Sequence, residues 1–106
     1  METLTGWDIV HADDVEWGPW GSQGNARSKV LGTADGYSVV LVEADVGYRG
    51  DPHEHAHAEF FYLLDGRLRN QGQVMTGGDG YAAAAGSTHT DFVVESPARY
   101  LVIFRL

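Results

Sequence analysis

From residue 27 onward the apolar residues come in short runs broken by glycine-bearing polar pairs. Arg27 to Leu31 reads as a strand. Tyr37 to Ala44 (YSVVLVEA) holds Val39, Val40, Leu41 and Val42 without interruption, as in a strand buried on both faces. The intervening Asp35-Gly36 pair is a hairpin signal. Further strands are predicted over Glu59 to Leu64, Arg67 to Asn70, Val74 to Thr76, Tyr81 to Ala85, Asp91 to Val94 and Arg99 to Arg105. Turns are expected at Asp65-Gly66, Gln71-Gly72, Gly77 to Gly80, Gly86-Ser87 and around Pro97. Ala82 to Ala85 favours helix by propensity but is too short to nucleate one. Many short strands with tight turns predict an all-β sandwich or barrel with little or no helix. Residues 1–26 show no such period and are predicted as an N-terminal arm before one domain spanning 27–106. Trp17 and Trp20 lie in a Gly/Pro context there, and the ordinary place for an indole is against the core.

Composition narrows this picture. A chain of 106 residues is a single domain by length. Glycine, at 14 residues, is about twice its usual share, in keeping with many turns. The formal net charge of −8 opposes binding to phosphate backbones and to anionic membranes. No apolar run is long enough to span a bilayer, and METLTGWDIV has no basic start ahead of an apolar stretch. A cytoplasmic location is the default expectation. Without cysteine, disulfides, thiolate metal sites and cysteine nucleophiles are excluded.

Candidate chemistry sits in His53, His55, His57, Glu59 and His89. The first four have odd numbers, so on one continuous strand they would share a face. Four polar groups on one face make poor core and a good metal site, because imidazole and carboxylate suit divalent transition metals. If Ala56-His57-Ala58 is instead a turn, His53 and His55 come from one strand, Glu59 opens the next, and His57 sits at the corner. His89 would then close the site from a third strand. Whether His57 is a ligand stays open at this point.

The spacing resembles that of the cupins. Gly47, five residues, His53-Glu54-His55, three residues, Glu59, six residues and Gly66 meet every element of their first motif. Gly78, Gly86 and His89 match the second, with Ala84 in place of its proline and Val93 in place of its asparagine. The resemblance covers residues 47–93 by motif. It is nearest to a small bacterial branch that includes cupin domains of anti-sigma factors and of dioxygenases acting on aromatic ketones or diketones. It implies a cupin-type β-barrel (a double-stranded β-helix, or jelly roll) with a metal inside, held by His53, His55, Glu59 and His89. It also implies a homodimer, formed in many cupins through exchanged N-terminal strands.

A tetrahedral Zn would be closed by four such ligands. Six-coordinate Fe(II), Mn, Co or Ni would keep positions open for substrate or O₂. Fe(II) is the favoured ion. Phe61 shares the face of Glu59, and with Tyr81 it is a candidate wall for a small, apolar or aromatic substrate. Asp91 shares the parity of His89, which makes it the candidate to accept a hydrogen bond from a ligand histidine or to act as a base. Arg49 and Arg67 flank the first motif and could grip a carboxylate at the mouth. The leading expectation is a non-haem Fe(II) dioxygenase acting on a small ketone or aromatic compound. A non-redox lyase, cyclase or isomerase is the second, and a Zn-binding sensor or interaction module the third.

Overall fold

The computed structural model of the chain describes residues 4–105. One 3-10 turn, Ala12–Asp14, is followed by nine strands: β1 (Gly18–Pro19), β2 (Ala26–Ala34), β3 (Tyr37–Ala44), β4 (His53–Glu54), β5 (Glu59–Asn70), β6 (Gln73–Thr76), β7 (Gly80–Ala83), β8 (Thr88–His89) and β9 (Phe92–Arg105). The all-β expectation holds. Seven strands form one antiparallel sheet in the order β1-β2-β3-β9-β5-β6, with β7 also paired to β5. β4 and β8 form a separate two-stranded ribbon. No helix among the described residues is long and apolar enough to cross a membrane.

Two tight turns set the register. Asp35 (φ 53°) and Gly36 (φ 83°) both lie in the left-handed region, as a type I′ hairpin requires, and Gln71 (φ 52°) and Gly72 (φ 76°) repeat the pattern between β5 and β6.

Asp65-Gly66 does not turn the chain. The two predicted strands around it are one continuous β5, and the two around Pro97 are one continuous β9. The β5–β9 register shifts between Leu63 and Asp65, between Asp65 and Arg67, and between Arg67 and Leu68. Such bulges bend a long strand without ending it. They also change its parity: Phe61 and Leu63 face inward ahead of the bulges, and Leu68 faces inward after them. Gly66 makes this possible. Its φ is +103°, and a Cβ there would lie 2.4 Å from the Pro97 carbonyl oxygen.

The core joins Val40, Val42 and Ala44 of β3 to Phe61, Leu63 and Leu68 of β5 and to Phe92, Val94, Ala98, Tyr100 and Val102 of β9. The predicted arm is fastened to this body. Gly18 and Pro19 pair with β2, and Asp8 Oδ2 accepts a hydrogen bond from the Thr33 backbone N–H. Trp20 packs on the core, edge to face with Phe104 at 6.0 Å. Trp17 lies outside, with the Lys29 ammonium 4.7 Å over its ring.

Candidate metal centre

The ribbon exists to juxtapose histidines. His53 on β4 and His89 on β8 are direct register partners, and residues opposite each other in an antiparallel pair bring their side chains within contact. β4 ends at Glu54, so the four odd-numbered residues do not share one strand. His55 is held beyond it by backbone bonds to Ser87 and Gly86. His57 follows at the exposed corner, and Glu59 opens β5. The nitrogens of His53, His55 and His89 lie within 4.8 Å of one another, and their ring centroids are 4.8 to 5.5 Å apart.

Each ring is oriented by an outer oxygen. His53 Nδ1 donates to the Asp51 carbonyl at 2.9 Å. His55 Nδ1 donates to Ser87 Oγ at 2.9 Å, because that hydroxyl spends its own proton on the Ala84 carbonyl at 2.6 Å. In the neutral form of both rings this leaves the lone pair on Nε2, where a metal ligand needs it. His55 Nε2 is buried and has no hydrogen-bond partner. A buried nitrogen costs free energy unless something occupies its lone pair. Burial, reinforced by His53 and His55 and opposed by Glu59, lowers the His89 pKa and keeps that ring neutral. Three imidazoles with outer hydrogen-bond partners and one orphaned buried nitrogen fit a divalent cation.

The fourth expected ligand, Glu59, lies beside the three imidazoles. Glu59 Oε2 accepts a hydrogen bond from the Tyr81 phenol at 2.5 Å. The same oxygen lies 3.4 Å from His55 Nε2 without bonding to it. Burial is the main reason the Tyr81 pKa is raised, and the Glu59 hydrogen bond and charge add to it, so the phenol stays protonated.

Among the described residues, Asp91 makes no hydrogen bond to His53, His55 or His89. Thr90 and Asp91 separate β8 from β9, so alternation does not run from His89 through Asp91. Asp91 Oδ2 accepts instead from the Gly72 backbone N–H at 3.3 Å. Asn70 is the outer partner of His89, with Oδ1 2.6 Å from Nε2. Gln71 beside it pins the histidine's loop: its side-chain oxygen accepts from the Thr90 and Asp91 backbone N–H groups at 2.7 and 3.0 Å. Val93 stands where the motif has asparagine, so an amide reaching His89 from another strand is a feature that motif matching misses.

A cavity of about 80 Å³ opens beside His53, His89 and Glu59. Phe61 and Tyr81 line it, their rings stacked at 4.7 Å, and Phe92 and Tyr100 complete an aromatic wall. Among the described residues, no lysine or arginine lines it. Arg67 pairs with Glu95 at 3.1 Å, and Arg49 is held through its backbone by Gln23. A groove of about 410 Å³ meets the cavity at Trp20, His53 and Glu59, and His57 lies along it.

Comparison with known proteins agrees with this architecture. The family model of the ChrR cupin-like domain matches residues 6–105. No curated protein sequence matches the chain. Among solved structures, a protein described as a putative acetylacetone dioxygenase from Methylibium petroleiphilum superposes with a TM-score of 0.85 at 16% identity, covering 99% of this chain and 81% of that one. The polyketide cyclase RemF from Streptomyces resistomycificus superposes at 0.77 and 22% identity, covering 93% and 79%. The anti-sigma factor ChrR of Rhodobacter sphaeroides, in complex with SigE, superposes at 0.74 and 23% identity, covering 89% and 51%. Likeness at these identities establishes the shared fold.

Proposed function

The chain belongs to the ChrR cupin-like family, and on that premise we propose that it is a metal-dependent enzyme acting on a small ketone-type molecule, as an Fe(II) dioxygenase. The carrying observation is that three mutually oriented histidines, one with an orphaned buried nitrogen, open into a small aromatic cavity. His53, His55 and His89 would hold the ion. When bound it supplies Lewis-acid polarisation of a substrate oxygen and, for Fe(II), activation of O₂.

The remaining steps belong to the chain itself. Phe61, Phe92 and Tyr100 exclude water from the reacting end of the substrate. Glu59 accepts a proton from an enolisable carbon, and the electron pair left behind gives the enolate. Tyr81, protonated and fixed, donates to the carboxylate and aims it. A cavity of about 80 Å³ without a cationic side chain suits a compact, uncharged substrate, well under the roughly 300 Å³ of a drug-sized site. The structural likeness to a putative acetylacetone dioxygenase supports the diketone class.

Oxygen uptake by Fe(II)-loaded protein with acetylacetone tests this reading, with uptake matched to diketone consumed as the expected result. Turnover that persists under nitrogen with Zn in place of Fe would select a non-redox cyclase or lyase, as the likeness to RemF suggests. Absence of turnover beside tight Zn binding would favour a sensor module.

We also propose a homodimer. Phe60, Tyr62, Leu64 and Ile103 are exposed, and Phe60 and Ile103 are register partners on the outer face of β5 and β9. A dimer mass by light scattering is expected, and a monomer would overturn this.

A further inference from the structure

The hairpin between β5 and β6 carries a residue poorly matched to its backbone. Each type I′ turn needs a left-handed residue ahead of its glycine, a place that suits asparagine, aspartate or glycine. Asp35 fills it between β2 and β3, but Gln71 fills it between β5 and β6, with φ 52°. A non-glycine residue in that region carries backbone strain, and such residues cluster at functional sites. Gln71 is exposed, so burial does not account for the choice. We propose that Gln71 is a positioning residue for the metal centre, its amide fixing the backbone on both sides of His89. The inference rests on the metal-site reading above and concerns how the third imidazole is kept in place.

Glutamine reaches where the shorter turn residues do not. Its Oε1 accepts from the backbone N–H groups of Thr90 and Asp91 at 2.7 and 3.0 Å, and its Nε2 donates to the Thr88 carbonyl at 3.2 Å. An N–H group only donates and a carbonyl only accepts, so one orientation of the amide serves all three. His89 lies between those contacts. The backbone of the turn adds two ties: Gln71 N–H donates to the Asp91 carbonyl at 2.8 Å, and Gly72 N–H donates to Asp91 Oδ2 at 3.3 Å. The ring itself is met by the preceding residue, with Asn70 Oδ1 2.6 Å from His89 Nε2. β8 needs this help. It has two residues, and the strand it pairs with, β4, is as short. A ladder of that length gives little order of its own, so the position of His89 is inherited from the turn that grips it.

The test takes two measurements on the full chain. One is Zn(II) affinity by competition with a chromophoric chelator. The other is the visible absorption of the Co(II)-loaded protein, which reports ligand geometry rather than global stability. Gln71→Gly suits the left-handed turn and removes the amide. Its Zn(II) affinity is expected to fall about tenfold, the scale on which outer hydrogen-bonding partners tune a site, and its Co(II) bands to shift. The thermal midpoint of the metal-free protein is expected to stay within about 5 °C of wild type, because relieved strain offsets the lost exposed bonds. Gln71→Asn also suits the turn but is one carbon too short, and the same losses are expected. Wild-type affinity in Gln71→Gly would overturn the proposal. So would a fall in affinity with unshifted Co(II) bands and a much lowered midpoint, since Gln71 would then serve the fold alone. If Gln71→Gly loses its near-ultraviolet circular dichroism, Gln71→Asn decides by the same two measurements. Binding by His53→Ala equal to wild type would instead remove the metal reading itself, which separates the two failures.

Discussion

The ladder of β3, β9 and β5 and the ribbon of β4 and β8 are made of opposite materials. The ladder pairs strands of 8, 14 and 12 residues, and its inner face is aliphatic and aromatic from Val42 to Val102. The ribbon pairs two residues with two and sets imidazole against imidazole. Hydrophobic burial rewards the ladder at every inward position. Nothing in the ribbon repays its own ordering: its histidines are held by single hydrogen bonds to carbonyl, hydroxyl and amide oxygens. Stability and chemistry are separated, and the second is borrowed from the first. A ribbon this short stays in place because Ser87, Asn70 and Gln71 tie it to the sheet's turns.

That separation can be broken from either side. The largest effect is expected from Gly66→Ala. Its Cβ would meet the Pro97 oxygen at 2.4 Å and the Ala98 Cα at 2.7 Å in a left-handed backbone. Overpacking and strain together would cost about 3–5 kcal/mol, a large part of the stability of a domain this size. Urea unfolding should show the loss, while metal affinity of the remaining folded protein stays near wild type.

His53→Ala should do the reverse. Metal content by elemental analysis is expected to disappear, with affinity down by about 100-fold or more, since even outer-partner changes cost about 10–100-fold. The thermal midpoint of the metal-free protein should barely move, because His53 is exposed on the ribbon.

A smaller change should follow Asn70→Ala. The ring of His89 loses its orienting amide, and metal affinity is expected to fall by about tenfold with the sheet intact. An unchanged affinity would mean that Gln71 alone orients the loop.

At neutral pH the least visible effect is the titration of the tyrosines. Burial raises the pKa of Tyr48, Tyr81 and Tyr100 above the usual phenol value of 10, with help from Asp51 at Tyr48, Glu59 at Tyr81 and the Tyr48 phenol at Tyr100. A raised folded pKa contributes stability that is complete below pH 10 and is lost as pH climbs toward the folded value. Absorbance at 295 nm should therefore show these three ionising only as the fold opens, together with loss of near-ultraviolet circular dichroism. Full ionisation with the dichroism retained would contradict their burial.

Much of this could be read from the chain. The Asp35-Gly36 hairpin and the limits of β3 follow from turn chemistry and an aliphatic run, both local properties. The meeting of His53, His55 and His89 was announced by residue type and motif spacing. Asp65-Gly66 misled because the same dipeptide serves a turn or a bulge, and only a partner strand beside it chooses. Parity from His89 pointed to Asp91, and the chain breaks between β8 and β9 to present Phe92 to the cavity instead.

The sequence alone determined which segments are extended and where the Asp35-Gly36 and Gln71-Gly72 turns fall, because these depend on residues only a few positions apart, and its residue types named the donors a metal would find. The tertiary structure decided that Asn70 orients His89, that Tyr81 holds Glu59 and that no arginine enters the cavity. Asn70 lies 19 positions from His89 and Tyr81 lies 22 from Glu59. Contacts at that separation depend on cross-strand register: Tyr81 reaches Glu59 through the β5–β7 pair, and Asn70 lies beyond the bulges around Gly66, where the alternation of faces resets.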